Sequence, residues 1–257
     1  MADAGEQLGS FLRSRRERLT PEQLGLPSAR RRRTPGLRRE EVAGLAGISA
    51  EWYVKLEQGR AVAPSAATVD ALACALRLGV VEHAHLRTLV RNRARAAFVR
   101  EEVPPPLRRL VESLDQPAYV TGLRWDVLAW NEAAAGLFAD LDQLAAEDRN
   151  ILLYVLTTCQ ARALFGVGWA NEARRMVALY RATHDVWADD PAFAGLLARV
   201  RAGCAGFDAW WGAHDIGAAV SGTKVLHHPA RGRLRFEYTS FQANDDPRLR
   251  LAVYVPC

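Results

Sequence analysis

Two short predicted helices that meet at Gly47 form the segment of this sequence with the clearest chemistry. The first spans Arg38–Ala46 and ends at Gly47. The second spans Ala50–Gln58, because Ser49 is a suitable N-cap and Gly59 a suitable residue just past the C-terminal end. This pattern is typical of a helix-turn-helix, whose second helix lies in the major groove of DNA. An arbitrary helical bundle contains the same helix–glycine–helix arrangement, so the pattern alone leaves both interpretations open.

The second predicted helix separates apolar from polar residues. Tyr53 and Leu56 fall on the side that packs against the protein, whereas Ala50, Glu51, Trp52 and Lys55 are expected to point outward. A lysine can bind guanine or phosphate, and a glutamate can accept a hydrogen bond from a cytosine amino group. The residues expected to contact DNA, on this helix, its flanks and the start of the preceding helix, are Arg38, Arg39, Ser49, Ala50, Glu51, Trp52, Lys55 and Arg60.

Excess positive charge is confined to the first part of the chain. Residues 1–103 contain 18 Lys and Arg against 12 Asp and Glu, whereas residues 104–257 contain 16 against 17. The asymmetry favours a polyanionic partner for the first part, although a basic solvated surface explains it equally well. Four successive arginines precede the helix-turn-helix. Within that run we favour contacts of Arg31, Arg32 and Arg33 with the phosphate backbone over a solvated loop.

Aromatic residues are concentrated in the second part of the chain. Six of the seven tryptophans lie beyond residue 120. Ligand pockets are mostly apolar with a few well-placed polar groups, which favours a binding site here, although each aromatic residue taken singly is more often ordinary core. The predicted pocket residues are Trp125, Trp130, Arg149, Asn150, Leu153, Trp169, Phe207, Trp210, Trp211 and His214.

Residues for catalysis or metal binding form no recognisable pattern. The six histidines and four cysteines are scattered, and HExxH, GxSxG, CxxC and phosphate-loop motifs are absent. The sequence therefore predicts neither an enzyme nor a metal or cofactor site. Scattered cysteines indicate free thiols in a reducing compartment. Without a secretory signal or an apolar run of membrane length, we expect a cytoplasmic protein that does not enter a membrane.

Hydrophobic periodicity predicts an α+β fold in two domains. Residues 1–103 are expected to form an all-α bundle of five helices, and residues 104–257 an α+β domain with an antiparallel sheet. Val103–Pro106 mark the boundary and favour a stiff extended spacer, since three successive prolines do not fit inside a helix or a central strand. The predicted strands are a hairpin of Ala118–Thr121 and Val127–Trp130, followed near the C-terminus by three more strands.

The sequence of the first domain resembles the repressor-type Xre family. LRREEVAGLAGIS at Leu37–Ser49 and LEQGR at Leu56–Arg60 carry that resemblance. RRTPGLRREE at Arg32–Glu41 is more specific and resembles the MmyB-like regulators, which couple such a helical domain to a PAS-like ligand-binding domain. Segments of the second domain that also resemble this family are Trp125–Asn131, Asp148–Leu152, Trp210–Asp215 and Gly222–Gly232.

This resemblance implies several further properties. Arg16 would pair with Glu57 as a buried brace rather than contact DNA. The protein would be a homodimer on a pseudo-palindromic operator, with half-sites roughly 34 Å apart. The second domain would bind a long-chain, fatty-acid-like ligand, whose carboxylate would need a partner such as Arg149, Asn150 or His214.

Together, these observations predict a sequence-specific transcription regulator that binds a double-stranded DNA operator and is controlled by a hydrophobic small ligand. The alternative is a non-enzymatic binding module whose helical domain recruits a protein partner. A steep loss of operator affinity with increasing salt would distinguish the first from the second.

Overall fold

A computed structural model describes residues 4–27, 36–60, 64–91 and 97–257. The chain divides into two compact units. The first contains the described part of residues 1–96 together with two later segments, His184–Pro191 and Gly212–Ile216. The second contains Ala97–Thr183, Ala192–Trp211 and Gly217–Cys257. The domain boundary between residues 103 and 104 stays a prediction.

The first unit is built on a bundle of helices, here called the helical head. Within the described residues its α-helices are α1 (Ala4–Arg18), α2 (Arg39–Ala46), α3 (Ala50–Glu57), α4 (Ala66–Ala75) and α5 (Val80–Arg91). Each helix contributes to one apolar core, in which Phe11, Val42, Tyr53, Leu72 and Leu86 are at most 2% exposed. The five helices that the sequence predicts are therefore present.

The ends of the short helices follow from local residue chemistry. Ser49 caps α3 by accepting a hydrogen bond from the backbone N–H of Trp52 at 3.2 Å. Gly47 and Gly59, which follow α2 and α3, have φ angles of 66° and 68°, in the left-handed region that favours glycine. Ser65 caps α4 in the same way through the N–H of Thr68. These caps confirm the predicted helix-turn-helix boundaries to within one residue.

The second unit contains a five-stranded antiparallel sheet. Its strands are β1 (Ala118–Thr121), β2 (Val127–Trp130), β3 (Gly222–His228), β4 (Gly232–Gln242) and β5 (Arg250–Pro256). They lie in the order β2-β1-β5-β4-β3. The β1–β2 hairpin has the predicted bounds. Of the three predicted C-terminal strands, β3 pairs with β4, β4 with β5, and β5 with β1. The predicted α+β class with an antiparallel sheet is confirmed.

Helices complete the second part of the chain. They are α6 (Pro105–Glu112), α7 (Glu132–Leu137), α8 (Ile151–Thr157), α9 (Cys159–Phe165), α10 (Trp169–His184), α11 (Pro191–Gly203) and α12 (Phe207–Gly212). The prediction of a stiff extended spacer at the prolines is wrong, because Pro104 is the N-cap of α6 and Pro105 and Pro106 form its first turn. Proline is tolerated there because the first N–H groups of a helix have no intrahelical acceptor.

The two faces of the sheet have different neighbours. Side chains alternate along each strand, so Val120 of β1 and Val253 of β5 share one face, where they belong to the same apolar cluster as Val111 of α6. Tyr119 of β1 is paired with Ala252 of β5 on the opposite face. This opposite face carries the cavity described below.

Candidate functional site

The outward side of α3 is the first candidate site. Tyr53 and Leu56 are 0% and 1% exposed and anchor the helix in the core of the head. The opposite side therefore faces solvent. Glu51 and Lys55 lie there as an i,i+4 ion pair of 2.8 Å, with 80% and 42% of their side chains exposed. The Lys55 ammonium holds the pKa of the Glu51 carboxyl below its usual range. Both side chains are available to a partner, since an exposed ion pair is easily exchanged for other contacts.

A buried ion cluster fixes α3 against α1 and α2. Arg16 Nε donates to Glu57 Oε1 at 2.5 Å, and Arg39 Nε donates to Glu57 Oε2 at 2.7 Å. Burial favours the neutral form of Glu57, but the hydrogen bonds from Arg16 and Arg39 outweigh it, so the pKa of this carboxyl lies below its usual range. The brace between Arg16 and Glu57 is confirmed. Arg39, predicted to contact DNA, shares its guanidinium between Glu57 and solvent, with 41% of its side chain exposed.

The other predicted DNA contacts occupy varied environments. Arg38 and Arg60 are exposed on either side of the two helices, and Ser49 is exposed although its hydroxyl caps α3. Ala50 and Trp52, expected to point outward, are instead half-buried and pack against the core of the head. Arg31, Arg32 and Arg33 lie outside the described residues.

A cavity of about 250 Å³ in the second unit is the second candidate site. Its volume is near the lower end of ligand pockets, which are about 300–1,000 Å³. Lining side chains from the sheet are Tyr119, Thr121, Tyr238, Arg250, Ala252 and Tyr254. Facing them, the apolar lining includes Phe138, Ile151, Val155, Phe165, Met176 and Leu179. The cavity therefore combines an apolar wall with a wall of hydroxyl and guanidinium groups.

A charged cluster borders the cavity where α10 approaches β3. Glu172 accepts from Arg175 Nη2 at 2.6 Å and from Lys224 Nζ at 2.5 Å. Burial raises the pKa of Glu172, but its two cationic partners outweigh burial and the net shift is downward. Burial lowers the pKa of Lys224, whose side chain is 10% exposed. Glu172 and Arg175 line the cavity themselves.

The wall that contains Trp125 is held by a polar network. Trp125 has a φ of 68°, uncommon for a residue with a side chain, and its N–H donates to the carbonyl of Gly122 in the β1–β2 turn. The next residue, Asp126, is fully buried and accepts two 2.9 Å hydrogen bonds from Arg124. Asn150 donates to Asp126 and caps α8 through its side-chain oxygen. The network joins β2 to α8, which contributes two residues to the apolar wall.

Trp125 is the one member of the ten predicted pocket residues that lines this cavity. Asn150 acts instead as the cap and network residue just described. Arg149 stacks on Trp130 at 5.2 Å and donates to the carbonyl of Leu141. Leu153 is 9% exposed and belongs to the packed interior.

The remaining predicted pocket residues have partners of their own. Trp169 donates its indole N–H to the carbonyl of Val155 at 2.7 Å, and its ring lies 5.9 Å from that of Trp210. Phe207 stacks on Trp211 at 5.3 Å. His214 belongs to the first unit, where its carbonyl accepts from Arg15 at 2.6 Å. None of these five side chains lines the cavity.

Sequence reasoning missed most of the cavity residues, although two signals for them exist. Glu172, Arg175, Met176, Leu179 and Thr183 follow helical spacing, which places them on one face of α10. On β5, Arg250, Ala252 and Tyr254 alternate with Leu251 and Val253 in the manner of a strand with two different faces. Because the pocket prediction started from the tryptophans, it used neither the spacing along α10 nor the alternation along β5.

Comparison with protein families identifies one DNA-binding domain and one ligand-binding domain in the chain. A model described as a helix-turn-helix domain matches residues 7–86, and a model described as the MmyB-like transcription regulator ligand binding domain matches residues 103–257. No curated protein shows a significant match to the chain. The fold and the two family matches define a DNA-binding transcription regulator with a ligand-binding domain. Because the second match covers more than half of the chain, the protein belongs to the MmyB-like transcription regulators.

Two further properties follow from the described residues. Among them no group of three or more His, Cys, Asp or Glu side chains is arranged to hold a metal ion. None of the helices described is by itself long and apolar enough to cross a membrane, and one pair bent by 81°, Ile151–Thr157 with Cys159–His184, passes that test by length and composition only.

Proposed function

We propose that this regulator binds a specific operator through α3 and that a hydrophobic, fatty-acid-like ligand in the cavity controls that binding. The cavity is the observation that carries the proposal, because a partly open pocket lined on one side by apolar side chains suits such a ligand. Each methylene removed from water stabilises the complex by about 0.8 kcal/mol, which is a sufficient source of affinity. We propose a cytoplasmic location for the regulator.

On the DNA side, the proposed contacts come from the exposed flank of α3 and its neighbours. Glu51 and Lys55 are the central candidates, because they lie on the side of α3 opposite its buried anchors. Arg38 and Arg60 extend this surface, and Arg31–Arg33 are proposed to contact phosphates. The proposed homodimer places two copies of α3 in major grooves roughly one helical turn, about 34 Å, apart.

Replacing Lys55 with alanine should weaken operator binding by about 1–3 kcal/mol, or roughly 5- to 150-fold. The fold should survive, because the side chain is exposed and its only described ion pair is with exposed Glu51. Fluorescence anisotropy of a labelled operator, obtained by selection from random duplexes, would measure the change. If Lys55 contacts a phosphate, the variant should also show a weaker dependence of affinity on salt. If Lys55 contacts a base, the variant should show a relaxed sequence preference.

The matched control for this variant is Arg87→Ala. Arg87 is similarly exposed on α5, where it pairs with Asp70, and α5 is not part of the helix-turn-helix. Its removal should leave operator affinity within about twofold. Equal binding by Lys55→Ala and the parent protein would remove Lys55 from the interface.

Ligand control makes a separate prediction. Saturating ligand should change operator affinity by about 5- to 150-fold, the range of 1–3 kcal/mol typical of coupled sites. We propose that the ligand alters the spacing of the two recognition helices in the dimer. Anisotropy titrations with and without dodecanoate test this coupling. If dodecanoate binds and operator affinity does not change, the proposed control is wrong.

A binding module that recruits a protein is the alternative to DNA recognition. This alternative predicts that the protein binds no DNA duplex and that its affinity for the protein partner changes little with salt. Loss of operator binding by several orders of magnitude between 50 and 200 mM salt, expected when six to ten phosphates are contacted, supports the DNA-binding function instead.

A further inference from the structure

The chain enters the second unit through an irregular segment that is anchored on that unit. This segment, residues 97–103 and here called the strap, forms no helix or strand. The Phe98 ring packs edge-on against the Phe193 ring at 5.2 Å, and Val103 packs against the apolar cluster shared by α6 and the sheet. Residues 92–96 separate the strap from the end of α5. The strap is therefore one of the chain connections between the helical head and the ligand-binding domain.

Glu101 fastens the strap to the turn between β1 and β2. It is 5% exposed, and its Oε1 accepts a hydrogen bond from the backbone N–H of Leu123 at 3.2 Å. A Cβ added at Gly122 would lie 2.1 Å from Glu101 Oε2, so the carboxyl fills the space that a side chain at Gly122 would need. The φ of Gly122 does not lie in the left-handed region, so the backbone conformation does not require glycine there. The glycine instead makes room for Glu101.

The same turn contributes two side chains to the cavity. Thr121 and Trp125 line the cavity, and they flank the positions that Glu101 contacts. Two backbone hydrogen bonds of 3.1 Å close the turn, one from the N–H of Gly122 to the carbonyl of Asp126 and one from the N–H of Trp125 to the carbonyl of Gly122. A ligand that contacts either side chain therefore acts on the turn that holds the strap.

Two features of the docked strap are unfavourable. Glu101 Oε2 is buried and has no hydrogen-bond partner among the described residues, which costs free energy. Burial also raises the pKa of the Glu101 carboxyl, since the charged form loses its water. Trp125 has a φ of 68°, which a residue with a side chain rarely adopts. The docked strap is therefore easily released, and a ligand that packs against Trp125 favours the docked state.

We propose that the strap is the switch of this regulator: it is docked while the cavity holds a ligand and released when the ligand leaves, with Glu101 as the positioning residue that couples the two. This inference rests on the proposed function of the cavity and names the element that carries its occupancy to the helical head. Release adds residues 97–103 to the length of chain between α5 and the anchored part of the second unit. A longer tether allows the head more positions, so docking restricts where α3 lies in the proposed dimer.

Chymotrypsin cleavage between Phe98 and Val99 in the full chain measures release of the strap. Phe98 packs on Phe193 while the strap is docked, whereas Val99 is already 73% exposed. Cleavage follows the released fraction when opening and closing are fast compared with cleavage. Dodecanoate, at a concentration shown by isothermal titration to saturate the protein, should slow this cleavage at least about fivefold. The rate for a synthetic peptide of residues 94–106 should not change, which controls for effects of dodecanoate on the protease.

Two substitutions change the contact of Glu101 in opposite directions. Glu101→Gln keeps the acceptor for the N–H of Leu123 and removes the buried charge, so cleavage without dodecanoate should slow at least about threefold. Gly122→Ala displaces the carboxyl, which is the mobile end of a long side chain, so the fold should survive and cleavage should be at least about threefold faster. If Glu101 served the fold alone, both variants would be cut faster. The matched control is Glu102→Gln at the exposed neighbouring position, which should stay within about twofold of the parent protein.

The outcomes separate this inference from the function on which it rests. If dodecanoate binds and cleavage after Phe98 does not slow, the strap is not the switch, while the cavity stands as a ligand site. If dodecanoate does not bind, the cavity function and the switch fail together. Faster cleavage of Glu101→Gln overturns the role of Glu101. In Gly122→Ala, bound dodecanoate should change operator affinity by less than about twofold, and a response as large as that of the parent protein contradicts the proposal.

Discussion

Replacing Glu57 with alanine should lower the free energy of unfolding of the helical head by about 3–5 kcal/mol, the usual cost of removing one partner of a buried ion pair. The Glu57 side chain is 1% exposed and that of Arg16 is 6% exposed. Without the carboxylate, the Arg16 guanidinium stays buried and keeps the carbonyl of Leu37 at 2.8 Å and the more distant carboxylate of Glu17 at 3.5 Å. Hydrogen exchange of peptides that cover α1 and α3, together with urea unfolding, would measure the loss.

Glu40→Ala is the control for this variant. Glu40 is exposed on α2, and its removal should change stability by no more than about 0.5 kcal/mol. If Glu57→Ala and Glu40→Ala unfold at the same urea concentration, the brace does not stabilise the head.

The same ion cluster predicts how acid affects the head. Because the pKa of Glu57 is lowered in the folded state, its contribution is fully present above the unfolded value of 4.5 and is lost as the pH falls through the folded pKa. The stability difference between the parent and Glu57→Gln, which keeps the size but removes the charge, should therefore shrink below pH 4.5. A difference that stays constant from pH 7 down through the unfolding range would contradict this account.

The helical head could be predicted well because its signals are local. Ser49, Gly47 and Gly59 fix the ends of α2 and α3 through a cap and two left-handed backbone positions. The signals for the β1–β2 hairpin are also local, because two short apolar runs lie on either side of Gly122. The pairing of Arg16 with Glu57 spans 41 positions, and family resemblance rather than local pattern supplied it.

The cavity could not be predicted because its walls depend on packing between distant elements. On a helix, Glu172 and Arg175 look like a solvated face, yet in the fold they line the same cavity as residues of β4 and β5, which are more than 60 positions away. Tryptophans looked like ligand contacts because of their size, but Trp169 has a backbone acceptor and Trp210 a neighbouring ring. Residue type indicated the aromatic character of the domain. The spacing along α10 and β5 marks side chains that share one face of each element, but the fold is needed to show that these two faces meet at the cavity.

The close packing of α1 against α3 also depends on a residue without a side chain. A Cβ added at Gly9 would lie 2.3 Å from the carbonyl oxygen of Glu57 and 2.8 Å from its carbonyl carbon. Real Cβ atoms do not approach backbone this closely, so one helix must move. Gly9 and Arg16 are seven residues apart on α1 and therefore face the same side, toward α3. Any displacement at Gly9 thus also strains the contact between Arg16 and Glu57.

Gly9→Ala should consequently destabilise the helical head by about 2–3 kcal/mol, the upper part of the range for overpacking. Gly44→Ala is the matched control, because it makes the same substitution in a helix where a Cβ meets no atom within 4 Å. Alanine is also the better helix former, so this variant shows the effect of helix propensity alone. That variant should be neutral or more stable by up to about 1 kcal/mol. Urea unfolding should therefore show a clear loss of stability for Gly9→Ala and no loss for Gly44→Ala. If Gly9→Ala is as stable as the parent protein or more stable, α1 and α3 must lie farther apart than described here. That result would also contradict the geometry of the ion cluster that the two helices share.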